Sequence, residues 1–232
     1  MSFPRRVCPE ILDALAGNDP RALRARKDLH RINTLIGQSF IMGRLLRACT
    51  GERPPRVVVD LGSGDGRFSL RVARRLARRW LSVKLFLIDR QALVSATTLE
   101  AFRALGWEAT SVTSDVFHWL TERPREPVDL VTVNLFLHHL QVSALLTLFQ
   151  ELAATTRAFV ACEPRRSRIA LAGCAFLAPA GIGKLIRHDA RVSVHAGFMG
   201  KELSALWPQD DLWQIQEWRG GVFSHCFFAR QV

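Results

Sequence analysis

Residues 56–66 read RVVVDLGSGDG. A β-branched run, Val57-Val58-Val59, leads to Asp60, and glycines then fall at every second position: Gly62, Gly64 and Gly66. An amphipathic, helix-like pattern follows over 67–80. The stretch describes a buried strand that turns sharply into a helix. Glycine permits positive φ and lets a ligand come close to the backbone. The free N–H groups and the dipole at a helix start favour an anionic group there. A strand, glycine loop and helix in this order form a nucleotide site by default. The dinucleotide fingerprint, however, places its third glycine three residues after the second. Here the spacing is G-x-G-x-G, with an acid two residues ahead of it.

Working outward, more strands end in polar residues. Residues 82–89 (SVKLFLID) form a second apolar strand ending in Asp89, 29 residues after Asp60. Residues 109–115 (ATSVTSD) form a third, ending in Asp115. The fourth, 128–136 (VDLVTVNLF), runs into Leu137-His138-His139-Leu140, and the fifth is 157–164 (RAFVACEP). Helical patterns at 67–80, 91–105 and 141–155 separate them. Strands alternating with helices imply a parallel sheet covered on both faces. Residues 213–218 and 222–230 flank Arg219-Gly220-Gly221 and read as a hairpin.

This arrangement resembles the class I S-adenosylmethionine (SAM) dependent methyltransferases, whose first motif is D-x-G-x-G-x-G. The resemblance covers about 56–230, roughly three quarters of the chain. It implies an α/β, Rossmann-like fold with a seven-stranded sheet and an antiparallel last strand. It also implies SAM as cofactor and S-adenosylhomocysteine as product. By the same resemblance Gly62, Ser63, Gly64 and Gly66 line the methionine moiety and Asp60 orients its amino group. Asp89 holds the ribose hydroxyls with Arg90 beside it, and Asp115 and Val116 meet the adenine. Asn134 stands at the end of the fourth strand, next to the cofactor.

A chain of 232 residues with 48% hydrophobic content is expected to be one domain with an N-terminal extension. Residues 1–12 lack the apolar run of a signal peptide, and the five cysteines form no C-x-x-C pair. A reduced, cytoplasmic protein is expected, without a disulfide framework or a zinc site. The net charge of +11 invites a nucleic-acid partner. Only four of the 32 basic residues are lysine, though, and many, such as Arg71, Arg74, Arg75, Arg78 and Arg79, fall on one exposed helix face. Asn134 is followed by Leu135-Phe136-Leu137, not by the tetrapeptide that base-methylating relatives use to hold a flipped base. Nucleic acid is therefore not the expected partner. An RNA methyltransferase stays open as an alternative, as does a relative that binds SAM without transferring methyl. Monomer and homodimer are equally compatible with the sequence.

Two segments vary most within such folds. Residues 1–55 carry helical periodicity at 9–16, 20–29 and 32–48, with Asn18-Asp19-Pro20 as a capped start. In small-molecule methyltransferases such helices fold over the cofactor as a lid, leaving 56–232 as the SAM-binding domain. Arg31 could then face the SAM carboxylate; a helix merely packed on the sheet is the alternative. The second segment, 165–200, is the expected substrate-cap insertion. Its stretch 169–183 holds 15 residues without a charge, too few to cross a bilayer. A cap over an apolar substrate, a peripheral membrane contact and plain core are the three readings. Next come Arg187, His188, Asp189, Ser193 and His195, and then a helix around Glu202, Leu203 and Leu206. This stretch is similar to methyltransferases of the quinone-biosynthesis type, several of which act on polyketide or phenolic products.

In-line methyl transfer requires alignment above all. A phenol, enol or quinol oxygen is the expected acceptor, with ring carbon second, and a histidine can take the hydroxyl proton. His138 and His139 stand at the carboxyl end of the fourth strand, where ligands bind in open α/β sheets. Consecutive residues diverge, so one is expected to face the site and the other to make a structural contact. His188, with Asp189 as orienting partner, is the next candidate base. Glu163 could be a base or a substrate acceptor, or could pair with Arg165 or Arg166, and Arg187 is a candidate substrate contact. With no tyrosine in the chain, a tyrosine base is excluded. Lacking clustered carboxylates near the fourth strand, the sequence gives no expectation of a metal.

Overall fold

Alternation along the strands assigns each side chain to one of two cores. The structure, a computed structural model, describes residues 3–122, 128–208 and 211–232. Its strands are β1 (Val57–Leu61), β2 (Lys84–Asp89), β3 (Glu108–Thr113), β4 (Leu130–Asn134), β5 (Ala158–Pro164), β6 (Trp213–Arg219) and β7 (Ser224–Gln231). They form one seven-stranded sheet in the order β3-β2-β1-β4-β5-β7-β6. The first five are parallel, while β7 pairs antiparallel with both β5 and β6. Val58, Leu85, Leu130, Val160 and Phe228 face one core, built with helices α2 (Gln38–Thr50), α3 (Arg67–Leu76) and α4 (Ala96–Arg103). Val59, Val131, Phe159 and Phe227 face the other, with α5 (Val116–Glu122) and α6 (Val142–Thr155). Burial of both faces explains why β1, β4 and β5 read as continuous apolar runs.

Several boundaries differ from the sequence expectation, each for a local reason. At the N-terminus a short 3-10 turn (Leu12–Ala14) precedes α1 (Pro20–Leu35). Asp19 caps α1 by accepting from the Arg21 N–H at 2.7 Å, with Pro20 in its first turn. The break to α2 falls at Gly37, whose φ of 67° ends α1 later than periodicity placed it. Strand β4 stops at Asn134 because Leu135 adopts a φ of 56°, rare for a side chain of that size. The apolar stretch after β5 contains α7 (Arg168–Ala175), a run of turns, and then α8 (Lys184–Ala196). The helix expected around Glu202 is a series of turns instead. There the Glu217 carboxylate accepts from the Leu203 and Ser204 N–H groups, so a side chain satisfies what a helix would otherwise have bonded. No helix among the described residues is long and apolar enough to cross a membrane.

Candidate active site

A cavity of about 860 Å³ opens at the carboxyl ends of β1, β2, β4 and β5. Residues 7–14 and α1 wall one side, and α7 and α8 wall another. Both variable segments of the sequence thus contribute lining.

The glycine loop forms the floor. Gly62 has a φ of 70°, and a Cβ there would lie 2.6 Å from the Phe136 ring. Gly64 has a φ of 57° and nothing within 4 Å of where its Cβ would stand, so the backbone is bare toward the cavity. The N–H of Gly64 donates to Asp89 Oδ2 at 2.8 Å, and that of Gln91 to Oδ1 at 2.9 Å. Each Asp89 oxygen keeps a second lone pair for a ligand hydroxyl. Asp60 is buried, accepting from Ser69 Oγ and from Thr132 Oγ1 at 3.1 Å. Burial pushes its carboxyl up to about 6 against those two hydrogen bonds. Two buried atoms of lining residues, Ser63 Oγ and Asn33 Oδ1, have no partner among the described residues. Buried polar atoms are normally bonded, and here a polar ligand in the cavity would satisfy them. His30 Nε2 lies 2.8 Å from Asp65 Oδ2 and ties α1 to the loop. Bare backbone, unpartnered donors and acceptors, and an anchored carboxylate together fit an adenosyl amino acid.

The other expected cofactor residues are spread along the same wall. Arg90, Asp115, Val116 and Asn134 all line it. Asp115 Oδ1 accepts from the Phe117 N–H at 2.9 Å and so opens α5, while Asn134 Oδ1 accepts from Gln38 Nε2 at 3.0 Å. Arg31 is a correction. Its side chain is 56% exposed and bonds Asp28 and the Ala180 carbonyl, away from the lining. The turn of α1 that reaches inward presents His30 and Asn33 instead.

The paired histidines occupy a 3-10 turn, Leu137–His139, clamped at both ends. Glu163, fully buried at the end of β5, accepts from the N–H groups of Phe136 and Leu137 at 2.9 Å and of His138 at 3.3 Å. Opposite, the Arg5 guanidinium donates to the carbonyls of His138 at 3.2 Å and Leu140 at 2.9 Å. His138 is buried, with Nδ1 2.8 Å from Glu163 Oε2 and Nε2 3.3 Å from Glu10 Oε1. Burial alone would lower its pKa, but hydrogen bonds and charge from Glu10 and Glu163 outweigh that and push it up to about 9. His138 is therefore an imidazolium at neutral pH and cannot accept a proton. The His139 ring lies 4.0 Å away, centroid to centroid, and is tilted by 37°. Burial, reinforced by the charge on His138, lowers its pKa, leaving a neutral ring. Its Nδ1 lies 3.3 Å from Asp13 Oδ2. If Nδ1 carries the proton toward Asp13, Nε2 holds the free lone pair.

The remaining sequence candidates play other parts. Glu163 lies off the cavity wall and pairs with neither Arg165 nor Arg166. Arg166 instead bonds Glu202, and Arg165 the Gly221 carbonyl. His188 is 55% exposed and off the wall, 3.1 Å from Asp189. Asp189 is buried and holds the N-terminal segment, accepting from the Ile11 and Leu12 N–H groups at 3.0 Å. Arg187 also lies off the wall, its Nε buried without a partner among the described residues. Sequence reasoning missed Glu10 and Asp13, which carry no local motif, and Asn33, whose one signal was a polar residue inside an apolar helix stripe. Glu10, His138 and His139 also offer ligand atoms within 4.8 Å of one another, the one such group found among the described residues. An imidazolium has no lone pair for a metal, so the clamp that charges His138 competes with coordination.

Residues 58–158 match the family model described as a methyltransferase domain. No curated protein sequence matches the chain. Among solved structures, the plantazolicin methyltransferase BpumL in complex with SAH is similar, with a TM-score of 0.63 at 13% identity over 93% of this chain and 92% of that one. An O-methyltransferase family protein from Burkholderia thailandensis gives 0.55 at 15% identity over 92% of this chain and 60% of that one. The O-methyltransferase TomG from Streptomyces achromogenes, involved in tomaymycin synthesis and in complex with SAM, gives 0.51 at 13% identity, covering 84% and 80%. At these identities the likeness establishes the fold.

Proposed function

We infer that this chain, a methyltransferase domain over residues 58–158 on the class I fold, transfers a methyl group from SAM to an oxygen of a small, largely hydrophobic metabolite carrying a phenol, enol or quinol. The observation that carries this reading is the pair of adjacent histidines at the carboxyl end of β4, one held as a cation and its neighbour held neutral, both lining one cavity with the glycine loop. SAM, when bound, supplies a methyl group on an electron-poor sulfonium sulfur. Gly62, Ser63 and Gly64 would hold its methionine part, Asp60 its amino group, Asp89 its ribose, and Asp115 with Val116 its adenine; Gly66, expected beside them, lies off the wall, packed against Leu87 and Thr98 where α3 begins. Asn33 and Arg90 complete that wall.

His139 is the general base in this reading. It takes the acceptor's hydroxyl proton, and Asp13 steadies the ring that becomes charged. His138 cannot compete for the proton, because Glu163 and Glu10 keep it charged. Its charge also keeps His139 neutral until a substrate proton is offered. The apolar lining from Leu12, Ile36, Leu177 and Ile186 excludes water and suits an aromatic or aliphatic acceptor.

The test is transfer from isotopically labelled SAM to a panel of phenols, enols and hydroquinones, with the position of the new methyl read by mass spectrometry. Oxygen methylation that His139→Gln removes would support the assignment. Labelling of ring carbon would move the acceptor atom. SAM binding without transfer to any acceptor would overturn the proposal, as would methylation of RNA alone.

A further inference from the structure

No charged residue interrupts Ile169–Gly183, yet α7 at its start is covered on one side only. Ala170, Gly173, Cys174 and Leu177 line the cavity. On the outside Ile169 is 63% and Phe176 72% exposed, two helical turns apart. The tip of the β6–β7 hairpin lies alongside, because the Phe223 ring fills the space where a Gly173 Cβ would stand. Val222 and Phe223 at that tip are themselves 48% and 38% exposed. A helix that is apolar all round is normally buried all round, so the outer face calls for a cover.

The charges around the face indicate what covers it. Residues 165–188 contain five basic side chains and no acidic one. Arg166 is engaged with Glu202, whereas Arg165, Arg168 and Lys184 have no carboxylate partner among the described residues, nor has Arg219 on the hairpin. Arg219 stands close enough to Arg165 for its charge to reinforce the lowering of the Arg165 pKa by desolvation. A second copy packed here about a two-fold axis would set these arginines against their own equivalents. Protruding apolar side chains ringed by unpaired cations instead match the interface of an anionic bilayer.

We propose that the outer face of α7 and the β6–β7 hairpin tip dock on an anionic lipid bilayer, with Ile169, Phe176 and Val222 entering the interface and Arg165, Arg168 and Arg219 meeting the headgroups. The cavity wall formed by Gly173 and Phe223 then lies at the lipid surface. An apolar acceptor dissolved in the bilayer reaches the site without crossing water, a consequence that rests on the methyltransferase reading.

Flotation of the full chain with vesicles of phosphatidylglycerol and phosphatidylcholine, against phosphatidylcholine alone, tests the docking independently of any transfer. The wild type should float with the anionic vesicles, and salt at several hundred millimolar should release it. The double variant Ile169→Ser/Phe176→Ser and the double variant Arg165→Gln/Arg219→Gln should each bind about tenfold or more weakly. Both variants should keep wild-type melting and SAM titration, since none of the four side chains lines the cavity. Failure to float, or equal binding by all three proteins, would overturn the proposal. So would a dimer in size-exclusion chromatography that Phe176→Ser dissociates, because a second copy would then be the cover. Loss of SAM binding by the wild type would count against the enzyme reading while leaving the lipid result standing.

Discussion

Glu163→Gln replaces one carboxylate oxygen by an amide without changing shape, and so separates the two tasks of that residue. Glu163 accepts three backbone N–H groups and bonds His138 Nδ1. Glutamine keeps one good acceptor oxygen, so about two donors lose their partner, at about 1 kcal/mol each. The charge effect adds to this and depends on pH. His138 is raised from 6.5 to about 9, which corresponds to between about 3 and 4 kcal/mol of stability at roughly 1.4 kcal/mol per tenfold. Because the folded value is the higher one, this stability is fully present below about pH 6.5 and is lost as pH rises through about 9. Glu163 shares it with Glu10, so the variant forfeits about half. The expected loss is about 3–4 kcal/mol at pH 7 and about 2 at pH 10, or roughly 6–16 °C in Tm at neutral pH and about half that in alkali. Thermal melts of both proteins from pH 6 to 10 measure the gap, and the His138 ring signal by NMR reports its titration. An equal gap at pH 7 and pH 10 would refute the charged-histidine account, and no gap at all would refute the clamp.

Other outcomes follow from the same geometry. His139→Gln should lower kcat by about 10²–10⁴ with little change in SAM affinity, and alkaline pH should partly restore turnover of acidic phenols; a change in SAM affinity alone would reject the base assignment. Asp60 has its carboxyl raised to about 6, so SAM binding measured by calorimetry should weaken as pH falls below that value, and Asp60→Asn should abolish this dependence. Gly62→Ala combines a φ of 70° with a Cβ 2.6 Å from the Phe136 ring; SAM binding should be lost and the fold weakened by about 1–3 kcal/mol. Dialysis against a chelator should leave activity unchanged, since His138 meets Glu10 as an ion pair; loss of activity restored by a single metal would reverse that assignment.

What the sequence could reveal depended on how local each determinant is. The strand that carries Asp60 and the glycines after it lie within eleven consecutive residues, and their chemistry is set by neighbours in the chain. The succession of strands and helices along the chain was legible for the same reason, since periodicity and apolar runs are short-range signals, whereas the order of the strands within the sheet is set by tertiary pairing. Gly37 and Leu135 shifted element ends through single backbone conformations that periodicity does not register. Of the two readings for Arg31, the inward one was chemically attractive because guanidinium suits a carboxylate, yet helical phase turns Asn33 and His30 to the cavity and Arg31 to Asp28. His138 and His139 were visible as a pair, but not which one could act as a base. That distinction rests on Glu10, Asp13 and Glu163, which tertiary packing alone brings to them.

The N-terminal segment gives the site a mechanical vulnerability. Residues 3–10 form no helix or strand and are held at separated points. Arg5 reaches Leu140 across 135 positions, Glu10 reaches His138 across 128, and the Ile11 N–H reaches Asp189 across 178. Contacts closing loops of that length form late in folding and can open while the sheet stays intact. Peeling this segment back would admit water, release one of the two carboxylates that charge His138, and remove Asp13 from His139. The seven strands would remain paired throughout. The charge difference between two adjacent rings thus depends on a segment without helix or strand, and local opening of that segment would remove it without disturbing the sheet.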